Sequence, residues 1–176
     1  MIRIEDGPCL KVLVAYYSYS GKTRKVAQAL REKTCGVLYG LETRKQYASR
    51  TVVSEAKREL EQRDLPELKH AIPSMAAYDV ILVGGPVWWY TVSAPLMSFL
   101  RGVDFAGGKV AAFCTHEGGV GSYFADFRNQ AENADLLGDL AIHLPKRKRA
   151  SDIDGTLDAW LSGLGLPATQ SRRAAV

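Results

Sequence analysis

Three stretches of the 176-residue chain carry residues that could do chemistry. The first is Ser18-Tyr19-Ser20-Gly21-Lys22-Thr23, between an apolar run at 10–17 and a helical pattern. Strand, tight turn and helix in that order aim backbone N–H groups and the positive end of a helix at a bound anion. The Ser18, Ser20 and Thr23 hydroxyls add donors, and Gly21 lets the backbone approach a phosphate closely. The second stretch is Gly84-Gly85-Pro86-Val87-Trp88-Trp89-Tyr90, whose three aromatic rings offer stacking surfaces after a glycine-proline turn. The third, residues 113–121, holds Thr115, His116 and Glu117 before Gly118, Gly119 and Gly121. It reads as a flexible, donor-rich loop with one imidazole that could move a proton.

Gly21-Lys22-Thr23 could close a nucleotide-triphosphate loop, but that motif needs a glycine where Tyr16 stands. Trp88 and Trp89 could be core residues; their place just after a Gly-Pro turn favours a pocket rim. His116 is open between a proton-transfer role and an ordinary loop histidine. Asp152-Ile153-Asp154-Gly155-Thr156 resembles a phosphatase nucleophile motif, but it follows a basic run rather than a buried strand. It reads as a helix cap, with Ser151 and Asp154 spaced as in a capping box. The basic run 146–149 reads as a solvated loop, without the interleaved aromatics of a single-strand binder.

The elements that must position these loops follow from periodicity. Strands are expected at 10–17, 37–41, 78–83, 109–114 and 136–144. Helices are expected at about 22–33, 92–100 and 122–134, and after residue 151. Thr91 or Ser93 is a candidate cap for the second of these, with Pro95 in its first turn. Residues 43–70 read as a long crossover containing an exposed helix at 51–60. Five alternations of strand and helix imply an α/β fold, a doubly wound parallel sheet with helices on both faces. The three loops follow strands one, three and four, and so share the carboxyl edge of the sheet, where such folds bind ligands.

Composition bounds the rest. Apolar residues make up 47% and charged residues 24%, as in ordinary globular proteins. No apolar run approaches the roughly 20 residues of a membrane span, and the N-terminus does not read as a secretory signal. The expected compartment is the cytoplasm. Cys9, Cys35 and Cys114 form no metal-binding spacing, so no metal is expected and the thiols read as reduced. One domain over residues 1–176 is expected, with a core at about 10–163 and a frayed tail at 167–176.

Residues 18–23 resemble the phosphate loop of the flavodoxin family, whose pattern is Ser/Thr-x-Ser/Thr-Gly-x-Thr. Residues 84–90 with Pro95, Phe99 and Leu100 resemble the second loop of that family, and residues 113–121 its third. The resemblance covers residues 10–163 and is loosest at 43–72. It is closest to short-chain flavodoxin-like proteins and implies five strands in the order 2-1-3-4-5 with FMN as cofactor. It assigns Ser18, Tyr19, Ser20, Gly21, Lys22 and Thr23 to the phosphate. Gly85, Pro86, Val87, Trp88, Trp89, Tyr90, Thr115, His116, Gly118, Gly119 and Gly121 go to the flavin ring, with His116 as the catalytic candidate. Two functions then stand: an oxidoreductase using NAD(P)H to reduce a quinone or similar acceptor, or an electron carrier that docks to redox proteins. Carriers of the family tend to be acidic around the flavin edge. This chain has a net charge of +4 and no acidic cluster near the loops beyond Glu117, which favours the enzyme. Nucleic acid is not an expected partner.

Overall fold

The computed structural model describes residues 10–145 and 153–166. Among the described residues, six strands and five α-helices follow in the order β1 (Val12–Tyr16), α1 (Lys22–Thr34), β2 (Val37–Gly40), α2 (Val52–Gln62), β3 (Val80–Trp88), β4 (Thr91–Val92), α3 (Ala94–Gly102), β5 (Lys109–His116), α4 (Tyr123–Gln130), β6 (Asp135–His143) and α5 (Asp154–Gly163). A 3-10 turn, Met75–Ala77, leads into β3. The main sheet runs β2-β1-β3-β5-β6, all parallel, and β4 pairs antiparallel with the end of β3. With β4 set aside, this is the expected order of five strands.

The central strands are continuous apolar runs because both faces of the sheet are covered. Alternate residues of β1 enter different cores. Leu13 and Ala15 join Val83, Leu96, Phe99 and Tyr123 on the face carrying α3 and α4. Val12 and Val14 join Val26, Leu30, Phe113 and Leu157 on the face carrying α1 and α5. β1 lies between β2 and β3, so the chain leaves it in opposite directions and opens a crevice above its carboxyl end.

Several local expectations shift. The Gly-Gly-Pro sequence does not end β3; the strand continues to Trp88 and folds back through a two-residue connection, Trp89-Tyr90, into β4. Helix α3 starts at Ala94 with Ser93 at the N-cap position, but the buried Ser93 hydroxyl makes no capping bond. Helix α4 ends at Gln130, four residues earlier than periodicity suggested, and Ala131 closes it. Helix α2 is not wholly exposed: Val52, Ala56 and Glu59 face inward. Ile153 precedes α5, and the proposed capping serine, Ser151, lies outside the described residues, as does the basic run. Between β5 and β6 the register shifts after Val110, leaving Leu137 as the extra residue on β6.

Candidate cofactor site

The first loop is built as the local rules require. Gly21 takes φ 85°, a left-handed conformation costly for other residues, and turns the chain into α1. The first helical bond runs from the Lys25 N–H to the Gly21 carbonyl at 3.2 Å. The Arg24 N–H is taken by the Ser18 hydroxyl at 3.1 Å. The Lys22 and Thr23 amides belong to the first turn of α1, where the helix itself offers no acceptor. Thr23 is nearly fully buried, and its hydroxyl pairs with that of Thr115 at 2.8 Å, tying the first loop to the end of β5. Lys22 turns aside: its ammonium donates to the Leu144 carbonyl at 2.8 Å and pairs with Glu117 at 2.5 Å.

The second loop is the β3–β4 hairpin. Trp89 and Tyr90 both have positive φ, 51° and 62°, in a connection that normally favours Asn and Gly. Trp89 is held by α2: its indole N–H donates to the Val53 carbonyl at 3.0 Å, and the Lys57 ammonium sits 5.2 Å from its ring centre. Tyr90 rests on the third loop. A Cβ on Gly121 would lie 2.2 Å from the Tyr90 carbonyl oxygen, so only glycine fits there. The Ser122 N–H then donates to that carbonyl at 2.8 Å. Trp88 meets Tyr17, Tyr19 and Tyr47 in edge-to-face contacts, with ring centres 5.6, 6.1 and 5.4 Å away.

In the third loop His116 contacts the Gly118 carbonyl through Nδ1. A carbonyl can only accept, so Nδ1 carries the proton and a neutral ring keeps an acceptor at Nε2. His143 stacks on His116 at 5.2 Å and reaches the Glu117 carbonyl at 3.2 Å.

These loops enclose a cleft of about 460 Å³ at the carboxyl edge of the sheet. Of the residues expected from the sequence, Tyr19, Ser20, Lys22, Pro86, Val87, Trp88, Trp89, Tyr90, Thr115, His116, Gly118 and Gly119 line it. Ser18, Gly21, Thr23, Gly85 and Gly121 shape the loops without lining the cleft. For Gly85 the reason is packing: a Cβ there would lie 2.9 Å from Leu96. Glu117 and Leu144 line the cleft and were not anticipated. Leu144 follows a strand on the edge of the sheet, and no local pattern marked it as near the first loop. Among the described residues no cluster of His, Cys, Asp or Glu is arranged to hold a metal ion. No described helix is long and apolar enough to cross a membrane.

A flavodoxin family profile matches residues 11–148. A Lactobacillus acidophilus flavoprotein solved in complex with FMN is 26% identical, with a TM-score of 0.68 over 75% of this chain and 93% of that one. A Bacteroides eggerthii protein described as a candidate flavoprotein is 22% identical, with a TM-score of 0.75 over 89% and 98%. The two-electron reduced flavodoxin of Megasphaera elsdenii shares the fold at 16% identity, with a TM-score of 0.51 over 85% and 99%. No curated protein matches the chain. Three loops at one sheet edge, the expected strand order and a family match over most of the length agree: the chain belongs to the flavodoxin family.

Proposed function

We propose that the chain binds FMN non-covalently in this cleft and performs redox chemistry with it. The observation that carries the reading is the convergence of an anion-binding turn, an aromatic wall and an imidazole-bearing loop on one cleft. The donor set suits the group. The Lys22 and Thr23 amides and the Ser20 hydroxyl are available for a phosphate monoester at the end of α1. The volume lies within the roughly 300–1,000 Å³ usual for cofactor clefts. The FMN complex of the L. acidophilus relative supports the same reading.

Bound FMN supplies hydride acceptance and one- or two-electron transfer. The chain's residues bind, orient and shield. The first loop holds the phosphate with neutral donors while Lys22 stays committed to Glu117 and Leu144. Trp88 presents an apolar wall to a planar ring. His116, whose Nδ1–H donates to the Gly118 carbonyl, leaves Nε2 as the ring atom that could handle a proton at the rim.

The finer proposal is an NAD(P)H-dependent reductase of a quinone or similar acceptor, a single cytoplasmic domain. It is supported by His116 at the cleft and by the net positive charge. One feature favours the carrier reading instead: Trp89 and Tyr90 remain 46% and 65% exposed, a surface a redox protein could cover. Reconstitution decides between them. The protein should quench FMN fluorescence on binding at micromolar FMN, and no uptake would end the cofactor assignment. The loaded protein should then oxidise NAD(P)H in the presence of a quinone. Bound FMN without turnover across several acceptors would leave the carrier.

A further inference from the structure

Residues 43–70, where the family resemblance is loosest, form an excursion between β2 and β3 that is closed at its base. Thr43 bridges Leu68 in antiparallel fashion, the Arg44 N–H donates to the Glu67 carbonyl at 2.9 Å, and the Lys69 N–H donates to the Glu42 carbonyl at 2.8 Å. Within the excursion lies a charged group in an unusual place. Glu59, on the inward face of α2, is only 4% exposed. Carboxylates are rarely so buried unless paired. Its Oε1 accepts from the Lys45 ammonium at 2.5 Å and its Oε2 from the Tyr47 hydroxyl at 2.6 Å. Lys45 also pairs with Glu55 at 2.5 Å and sits 4.9 Å from the centre of the Tyr47 ring.

The ring anchored in this way packs against a residue of the cleft wall. Tyr47 meets Trp88 at 5.4 Å and 83°, and Trp88 lines the cleft. Tyr17 and Tyr19 meet the same indole edge-on. Burial and the bond to Glu59 raise the Tyr47 phenol well above its ordinary range, so it remains a donor at every working pH. With the Glu59 carboxylate buried but the Lys45 side chain 36% exposed, such a pair is a weak source of stability. It is an effective way to fix one orientation, because each partner tolerates few geometries.

We infer that Lys45, Tyr47 and Glu59 are positioning residues for Trp88: they fix the indole that forms one wall of the cleft, and through it the seating of the flavin ring. The second half of the statement rests on the FMN reading; the first half does not. Trp88 is one of three tryptophans, so the double replacement Trp89→Phe, Trp160→Phe isolates its signal. In that background, without flavin and well below the thermal midpoint, Tyr47→Phe and Glu59→Gln should each raise acrylamide quenching of Trp88 at least about twofold over the parent. In the native background each should weaken FMN and riboflavin alike, by about threefold to tenfold, because the effect falls at the ring and not at the phosphate. A lowered thermal midpoint with unchanged quenching and unchanged affinities would overturn the inference and leave the network as a clamp for residues 43–70. Raised quenching with unchanged affinities overturns the flavin-seating half. If the parent takes up no flavin, the cofactor assignment falls, while the quenching arm still decides the first half. If Glu59→Gln does not fold, Tyr47→Phe, which removes one hydroxyl and keeps the ring, carries the experiment.

Discussion

Lys22 is the one cation in the first loop, and its placement bears on how a phosphate would be held. Its ammonium is engaged by Glu117 and by the Leu144 carbonyl. The pair is partly exposed, 29% and 55%, so its net worth to stability is below about 1 kcal/mol. Lys22→Met should therefore cost less than that in urea denaturation and change FMN affinity by no more than about threefold. A loss of tenfold or more by fluorescence titration would mean that the ammonium leaves Glu117 for the ligand. The loop itself was legible because hydroxyls, glycine and a following helix form a local arrangement. The Lys22–Glu117 and Thr23–Thr115 contacts were not, since each joins residues more than 90 positions apart. Glu59 was hidden for a different reason: its partners Lys45 and Tyr47 lie only 14 and 12 positions away, but in sequence it is one more polar residue on a polar helix.

At the scale of elements, the β3–β4 hairpin is where local signals misled. Gly84-Gly85-Pro86 reads as a turn, yet all three residues lie within β3, Gly84 and Gly85 buried and Pro86 half-buried. A Cβ on Gly84 would lie 2.5 Å from the Phe113 ring, so that glycine serves close packing. The actual reversal is made by Trp89 and Tyr90, which no turn preference selects. Left-handed backbone costs a residue with a side chain roughly 1–2 kcal/mol, and Tyr90, 65% exposed, has little burial to offset it. Tyr90→Asn should leave the thermal midpoint unchanged or raise it, by up to about 1 kcal/mol in stability, while removing one ring from the rim. A clear fall would show that packing against Gly119 and Gly121 outweighs the backbone strain.

For the whole molecule, the alternation of apolar strands and amphipathic helices was enough to read a doubly wound sheet, because each period reports which face is covered. The same covering sets how the protein meets alkali. Burial raises the Tyr17, Tyr47 and Tyr123 phenols far above the ordinary value of 10.0. A group whose folded-state value is raised contributes stability that is fully present below its unfolded value and is lost as pH rises beyond it. The urea midpoint should therefore hold from neutral pH to about 9 and fall beyond about 10, with a shallower fall in Tyr47→Phe. An unchanged slope in that variant would show that Tyr47 ionises freely in the folded protein. Burial also pushes the Cys114 thiol up to about 12, which leaves it a poor nucleophile at neutral pH.

The extra residue at Leu137 has a consequence at the rim of the sheet. An outermost strand presents unpaired backbone groups that could recruit a second chain into a continuous ladder. On β6 the register shift breaks the flat run, Gly138 follows it, and Asp139 carries a charge paired with Arg128. On the opposite side β2 is only four residues long. Both margins are thus shaped against edge-to-edge aggregation, by irregularity and charge at one and by brevity at the other.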